Sequence, residues 1–429
     1  MSVTSSAVRR RAEAVLAEQG GVLRLRPAFV ARDFLPPGRR LGLPEQAYDS
    51  GERGAICERW LASTTRADNR VGPPGEGLSA VACDGASIGR GPAPGTGGSR
   101  GWPPGRQLLL ADVVRDAADL LMGQDYAVAH PAGLGRLAKI FDYAFRLPFH
   151  VHPPQEYASL VGAHSKDEAY HFLPVEMGPH PESFLGVHPW LAETGAHDVL
   201  LPYLVDWDSD LILRHSRAEL QVAGEGFLIP SGVLHAPGTA LTLELQEDSD
   251  VLSMFQALNA GRIISKELLF KDVRPADRAA EGERFPLRFV DWAANGDLHF
   301  YENHHLSPQP ASRALGDGAE ESWVFYGSSK FCGKRLTLQP GATAALTEPG
   351  VYSVFVWSGA GVFAGHEVRG QDHDLDELVV SHEVAVRPHE VRCTGASPLV
   401  LFSLFGPDLH HDVPGTGAGG WTAPAGAGS

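Results

Sequence analysis

Two histidines one residue apart, in FHVHPPQEYA at 149–158, are the residues of this sequence best suited to chemistry. On a strand, residues i and i+2 point to the same face, so His150 and His152 can present both imidazoles to a single ion. Glu168, in HSKDEAYHFL, offers a carboxylate from a neighbouring strand. His235, which follows the Pro230-Ser231-Gly232 turn in GEGFLIPSGVLH, offers a third imidazole. Three imidazoles and a carboxylate suit Zn²⁺, Fe²⁺ or Mn²⁺ and leave coordination positions open for water or a substrate.

The elements that must hold these ligands read as short strands. From the HVHP strand to about residue 270 the chain runs in short alternating stretches split by Pro and Gly, the pattern of a β-sandwich or barrel. In ALTLELQED, Leu241, Leu243 and Leu245 share one face, and Thr242, Glu244 and Gln246 share the other. Upstream, LLLADVVRDAADLLMG at 108–123 has apolar residues at helical spacing and ends on Gly123, and GLGRLAKIFDYA at 133–144 reads as a second helix. Residues 28–88 read as loop-rich, with short apolar runs such as AICERWLAST, and the Gly/Pro segment 89–107 as an exposed loop.

Length and composition extend this to the whole chain. With 429 residues and 43% hydrophobic composition, the chain can build two sizeable cores. Residues 1–27 form an N-terminal helix and arm, 28–270 a first domain carrying the metal ligands, 271–284 a charged linker, 285–412 a second strand-rich domain without metal, and 413–429 a disordered tail. The net charge of −16 gives no electrostatic footprint for nucleic acid or an anionic membrane. Cys57, Cys83, Cys332 and Cys393 are widely separated with no CxxC pair, which points to a reducing cytoplasm and away from thiolate metal binding. The N-terminus carries charge where a signal peptide is apolar, and no stretch is long enough to span a bilayer.

The segment GEGFLIPSGVLH fits the second cupin motif through Gly224, Pro230, Gly232 and His235. Ordinary cupins place the glutamate only a few residues after the HxH pair, whereas fifteen residues separate His152 from Glu168 here. That wider gap resembles type I mannose-6-phosphate isomerases, as do LPFHVHPPQEYA, HSKDEAYHFL and PSGVLHAPGTALTLELQEDSD in the same order, ICERWLAS at 56–63 and SFLGVHP at 183–189. The resemblance implies a mainly β fold of tandem cupin (double-stranded β-helix, or jelly-roll) domains with a few accessory helices. It also implies a metal site at His150, His152, Glu168 and His235, with His150 where the family has Gln.

By the same resemblance the activity is a Zn²⁺-dependent isomerisation of a sugar or sugar phosphate between aldose and ketose through a cis-enediol. Lys166 matches the lysine of the family's K-x-E run and shares a strand face with Glu168 and Tyr170, and Glu244 matches its acidic residue after the last ligand. These two are the candidates for acid/base or oxygen-orienting roles. Two positions depart from the family: Met254 stands where it has Arg, and Pro148 where it has Ser. Arg262 is the nearest downstream arginine that could take the missing guanidinium's place. Other functions open to a cupin with three His and one Glu are an Fe²⁺ dioxygenase and a carbohydrate-binding protein without turnover.

Overall fold

Pro and Gly interrupt this chain often, so its strands run to seven residues at most among the described ones, and several, such as Leu137–Phe141 and Glu168–Phe172, are buried on both faces. The protein's computed structural model describes residues 3–69, 72–82, 107–193, 196–313 and 315–417. The loop expected at 89–107 lies outside them except for Gln107, as does the tail beyond residue 417. The fold is mainly β, made of antiparallel sheets in a cupin-like arrangement with short helices around them.

Two facing sheets make the first barrel. One has five strands among the described residues, in the order Arg217–Leu220, Glu182–Leu185, His235–Ala236, His150–Val151, Ser253–Met254. The other has seven, in the order His305–Leu306, Gly226–Ile229, Glu168–Phe172, Thr242–Gln246, Leu137–Phe141, Ala55–Leu61, Ala28–Arg32. The alternation expected for 241–246 is present, yet every residue of Thr242–Gln246 is buried. Its apolar face, with Leu243 and Leu245, joins a core shared with Phe325, Val354, Leu401 and Phe402 of the second barrel. The polar face turns inward, where Glu244 lines a cavity between the two sheets.

The second barrel pairs a nine-stranded sheet with a four-stranded one, counting described strands. The nine-stranded sheet includes Val22–Arg26, which pairs with Glu377–Val380 through Val22 to Val380 and Leu23 to Val379. The N-terminal arm therefore supplies a strand to the C-terminal barrel, behind the helix Val3–Glu18.

Local readings differ from the structure in three places. Residues 133–144, expected as a helix, contain the buried strand Leu137–Phe141, paired on one side with Thr242–Gln246 and on the other with Ala55–Leu61. A short apolar run has no periodicity of its own to separate helix from strand, and here two flanking strands supply the hydrogen bonds. The helix expected over 108–123 is broken at Ala117 into Leu110–Asp116 and Ala118–Met122, after a short strand Leu108–Leu109. The charged interval 271–284 carries the helix Pro275–Glu281, with Val273 buried in the core beside Phe270 and Phe285.

Candidate metal centre

A single turn ties the segments of the candidate site together. Pro230–Val233 closes with a hydrogen bond from Val233 N–H to the Pro230 carbonyl, and Gly232 at its third position has φ +86°, which a type II turn demands. The Gly232 N–H donates to the His152 carbonyl at 2.9 Å, and the Ser231 N–H donates to Asp167 Oδ1 at 2.9 Å. Beyond the turn, His235 pairs in register with His150 on the adjacent strand.

The result is a buried group of three imidazoles, His150, His152 and His235, whose nitrogens lie within 4.8 Å of one another. Ring centroids are 4.0 Å apart for His150 and His235, 5.0 Å for His152 and His235, and 5.1 Å for His150 and His152. Each Nδ1 reaches a backbone carbonyl: that of Pro148 at 2.7 Å from His150, Val251 at 2.7 Å from His152, and Val233 at 2.9 Å from His235. A carbonyl oxygen only accepts, so each Nδ1 carries a hydrogen, and in the neutral ring the lone pair is then on Nε2.

Glu168, on the facing sheet, meets those lone pairs. Its Oε2 is 3.1 Å from His152 Nε2 and its Oε1 2.9 Å from His235 Nε2, and His235 Nε2 has no hydrogen-bond partner. Burial pushes the His150 imidazole well below its ordinary value, aided by the other two histidines. Burial and the Lys166 charge take His152 down to about 4. A neutral His152 sets an acceptor against the Glu168 carboxylate, an arrangement that a cation between them relieves. Three imidazole nitrogens and a carboxylate oxygen fit a borderline divalent ion, and the carbonyl acceptors on Nδ1 fix ring orientation as around known metal sites.

Charged side chains surround this group. Lys166 Nζ lies 2.6 Å from Glu168 Oε2, 3.2 Å from Glu244 Oε1 and 3.3 Å from His152 Nε2. Lys139 Nζ is 3.2 Å from Glu244 Oε2. Burial favours the neutral form of Glu168, but Lys166 and the histidines overcome it and hold the carboxyl well below the usual range. For Glu244 burial wins over Lys139 and Lys166, with Glu168 adding repulsion, and its carboxyl is pushed up to about 7. Tyr170 donates its hydroxyl to Glu168 Oε1. His171, on the opposite face of the strand, points away and packs on Phe325 and Phe402.

Five of the seven site residues read from the sequence, His150, His152, Lys166, Glu168 and Glu244, thus line one cavity, and His235, fully buried, stands behind it against Glu168. Arg262 does neither: it stands exposed on the hairpin Leu258–Ile263 and is absent from the lining. The arginine that does line the cavity is Arg32, paired with Glu58 at 3.0 and 3.1 Å. Arg32, Glu58 and Lys139 escaped the sequence reading. Their signal was charge set in or at the end of a short apolar run, as in AFVAR, AICERWL and LAKIF, and for Lys139 the helix expected over 133–144 hid its place on a strand. Met254 pairs with His150 across the strands and lines the cavity, as does Pro148.

No protein-family model matches the sequence, and no curated protein does. Among solved structures, the chain is similar to a mannose 6-phosphate isomerase from Bacillus subtilis, at 16% identity and a TM-score of 0.57 over 89% of this chain and 99% of that one. A phosphomannose isomerase variant from Salmonella typhimurium is similar at 11% identity and a TM-score of 0.56, over 90% and 100% of the two chains. A zinc-bound mannose 6-phosphate isomerase gives the same values. At such identities the likeness establishes the fold: this chain has the cupin-type architecture of the phosphomannose isomerases over nearly all of its length.

Proposed function

We propose that this protein is a divalent-metal-dependent aldose–ketose isomerase acting on a small polyhydroxy carbonyl compound, a sugar or sugar phosphate, through a cis-enediol. The observation that carries the reading is the cluster of three buried imidazoles, two of them against the Glu168 carboxylate, at a cavity that Glu244 and Lys166 also line. His150, His152, His235 and Glu168 would hold the ion, and Zn²⁺ is the favoured one on the donor set and on likeness to a zinc-bound fold. Bound there, the ion supplies a Lewis acid that polarises a carbonyl oxygen.

The remaining chemistry belongs to side chains of this chain. Isomerisation removes a proton from the carbon beside a carbonyl and returns one to the neighbouring carbon, so one group must both accept and donate. A carboxyl near 7 is divided between its two forms at neutral pH, which suits Glu244 to that exchange. Lys166, its ammonium held between Glu168 and Glu244, positions those carboxylates and sets a positive field against negative charge developing on a substrate oxygen. A wall this rich in charge favours a polyhydroxy substrate over the apolar one expected of a cupin oxygenase.

Metal analysis and proton exchange test the reading together. The purified protein should carry about one equivalent of zinc and should move deuterium from D₂O into C1 or C2 of at least one aldose. Glu244→Gln should keep the metal and slow exchange by about 10²-fold or more. Iron as the resident metal with O₂ consumption, or exchange at the parent rate in Glu244→Gln, would overturn it.

A further inference from the structure

Among the described residues, the cations that line the cavity are all engaged. Arg32 is held by Glu58 at 3.0 and 3.1 Å and lies 3.5 Å from Asp250; Lys139 is held by Glu244; Lys166 is held by Glu168 and Glu244. These three face four carboxylates in the same lining, Glu58, Glu168, Glu244 and Asp250. Two cations next to the lining are committed as well, Arg146 to Glu182 and Lys271 to Asp68.

Backbone donors do not fill the gap. Beside the histidines the lining is apolar, made by Leu147, Pro148, Leu252 and Met254. The Leu147 N–H is given to the Pro237 carbonyl, the Phe149 N–H to Gln256 Oε1 and the Leu252 N–H to Asp272 Oδ2. Pro148 has no N–H, and its carbonyl takes His150 Nδ1. A phosphate dianion needs several donors or a free cation to repay its desolvation. Taking one from this wall would leave a buried carboxylate unpaired.

We infer that the site takes an uncharged polyhydroxy aldehyde or ketone, with its far carbons against Leu147, Pro148, Leu252 and Met254, and discriminates against the corresponding phosphate ester. This rests on the isomerase reading for the carbonyl end of the substrate, but the selection against phosphate comes from the cavity wall. It separates this protein from the similar structures, whose names specify a 6-phosphate.

Titration calorimetry of the full-length, zinc-loaded protein with D-mannose, D-fructose and their 6-phosphates tests it. A free sugar should bind at least about tenfold more tightly than its ester. Met254→Arg, which sets a guanidinium beside His150, should narrow or reverse that preference. Tighter binding of a 6-phosphate by the parent protein overturns the inference. Deuterium exchange in the same samples keeps the two readings apart. Exchange with a 6-phosphate and not with the free sugar retains the isomerase and removes this inference. Selective binding of the free sugar without exchange does the reverse. No binding of any of the four overturns both.

Discussion

At His235 and His152 a buried Nε2 faces a carboxylate oxygen across 2.9 and 3.1 Å, and both rings give their Nδ1 hydrogen to a backbone carbonyl. Removing a ligand should therefore remove the ion without leaving the site content. His152→Ala and His235→Ala should each drop metal content from about one equivalent to under about a tenth, by elemental analysis of dialysed protein. Full occupancy in either variant would refute the ligand assignment. Lys166 acts differently, because it touches Glu168 and Glu244 through charge and is no ligand. Lys166→Met should keep the metal and lower the exchange rate by about 10- to 100-fold, and loss of metal would instead make Lys166 a support of Glu168.

Among elements, the two barrels repeat one another's registers. Trp60 faces Lys139 across its strand pair as Trp323 faces Lys334, and two residues earlier on those strands stand Glu58 and Glu321, each paired to an arginine, Arg32 or Arg313. Where His235 pairs with His150 in the first barrel, His389 pairs with Leu346 in the second, and Glu348 follows Leu346 by two residues as His152 follows His150. His389 Nε2 meets the Tyr352 hydroxyl, a donor, where His235 meets a carboxylate. The second arrangement has its positive charge from side chains, which surround Glu348: Lys334 at 3.0 Å, Arg313 at 2.6 Å and, when protonated, His410 at 3.1 Å. Burial works to raise the Glu348 carboxyl, and His410, Lys334 and Arg313 overcome it, taking it from 4.5 down to about 2. A carboxyl depressed on folding adds stability above its unfolded value and loses it as pH falls through the folded one. Glu348→Gln should then cost about 3 kcal/mol in denaturant unfolding at pH 7, with the difference from the parent closing between about pH 4.5 and 2. A pH-independent difference would mean that the cost is packing, not charge.

Across the whole molecule, the barrels are joined by charge as well as by an apolar core. Arg59, on the first barrel's sheet, places its guanidinium 2.6 and 2.7 Å from Asp376 and 2.9 Å from Glu377 of the second, all fully buried. Glu377 also accepts from the Ala62 N–H at 2.8 Å. Arg59→Met should leave two buried carboxylates without their cation and destabilise the protein by about 3–5 kcal/mol, while the folded fraction keeps its metal. A stability loss under about 1 kcal/mol would show that water replaces the guanidinium. The strand Val22–Arg26 adds a second bond between distant parts of the chain, since Glu377–Val380 would otherwise end as an open, apolar edge.

Sequence alone carried the fold type and the three histidines that cluster. HVH on a strand, a glycine forced by a type II turn and a glutamate between them are local chemistry, and strand spacing alone puts both imidazoles of the pair on one face. The Thr242–Gln246 alternation was legible for the same reason. What local pattern cannot carry is partnership between remote segments. LAKIF became a strand because strands 76 or more residues away in the chain flank it, and with that choice Lys139 joined Glu244. Likewise Arg262 lies nearer the ligands in sequence, but the barrel's closure brings Arg32 from its first strand to the cavity and leaves Arg262 in solvent. Which charges meet, and therefore which remain free to bind a substrate, is fixed by how the sheets close and not by the spacing of the residues along the chain.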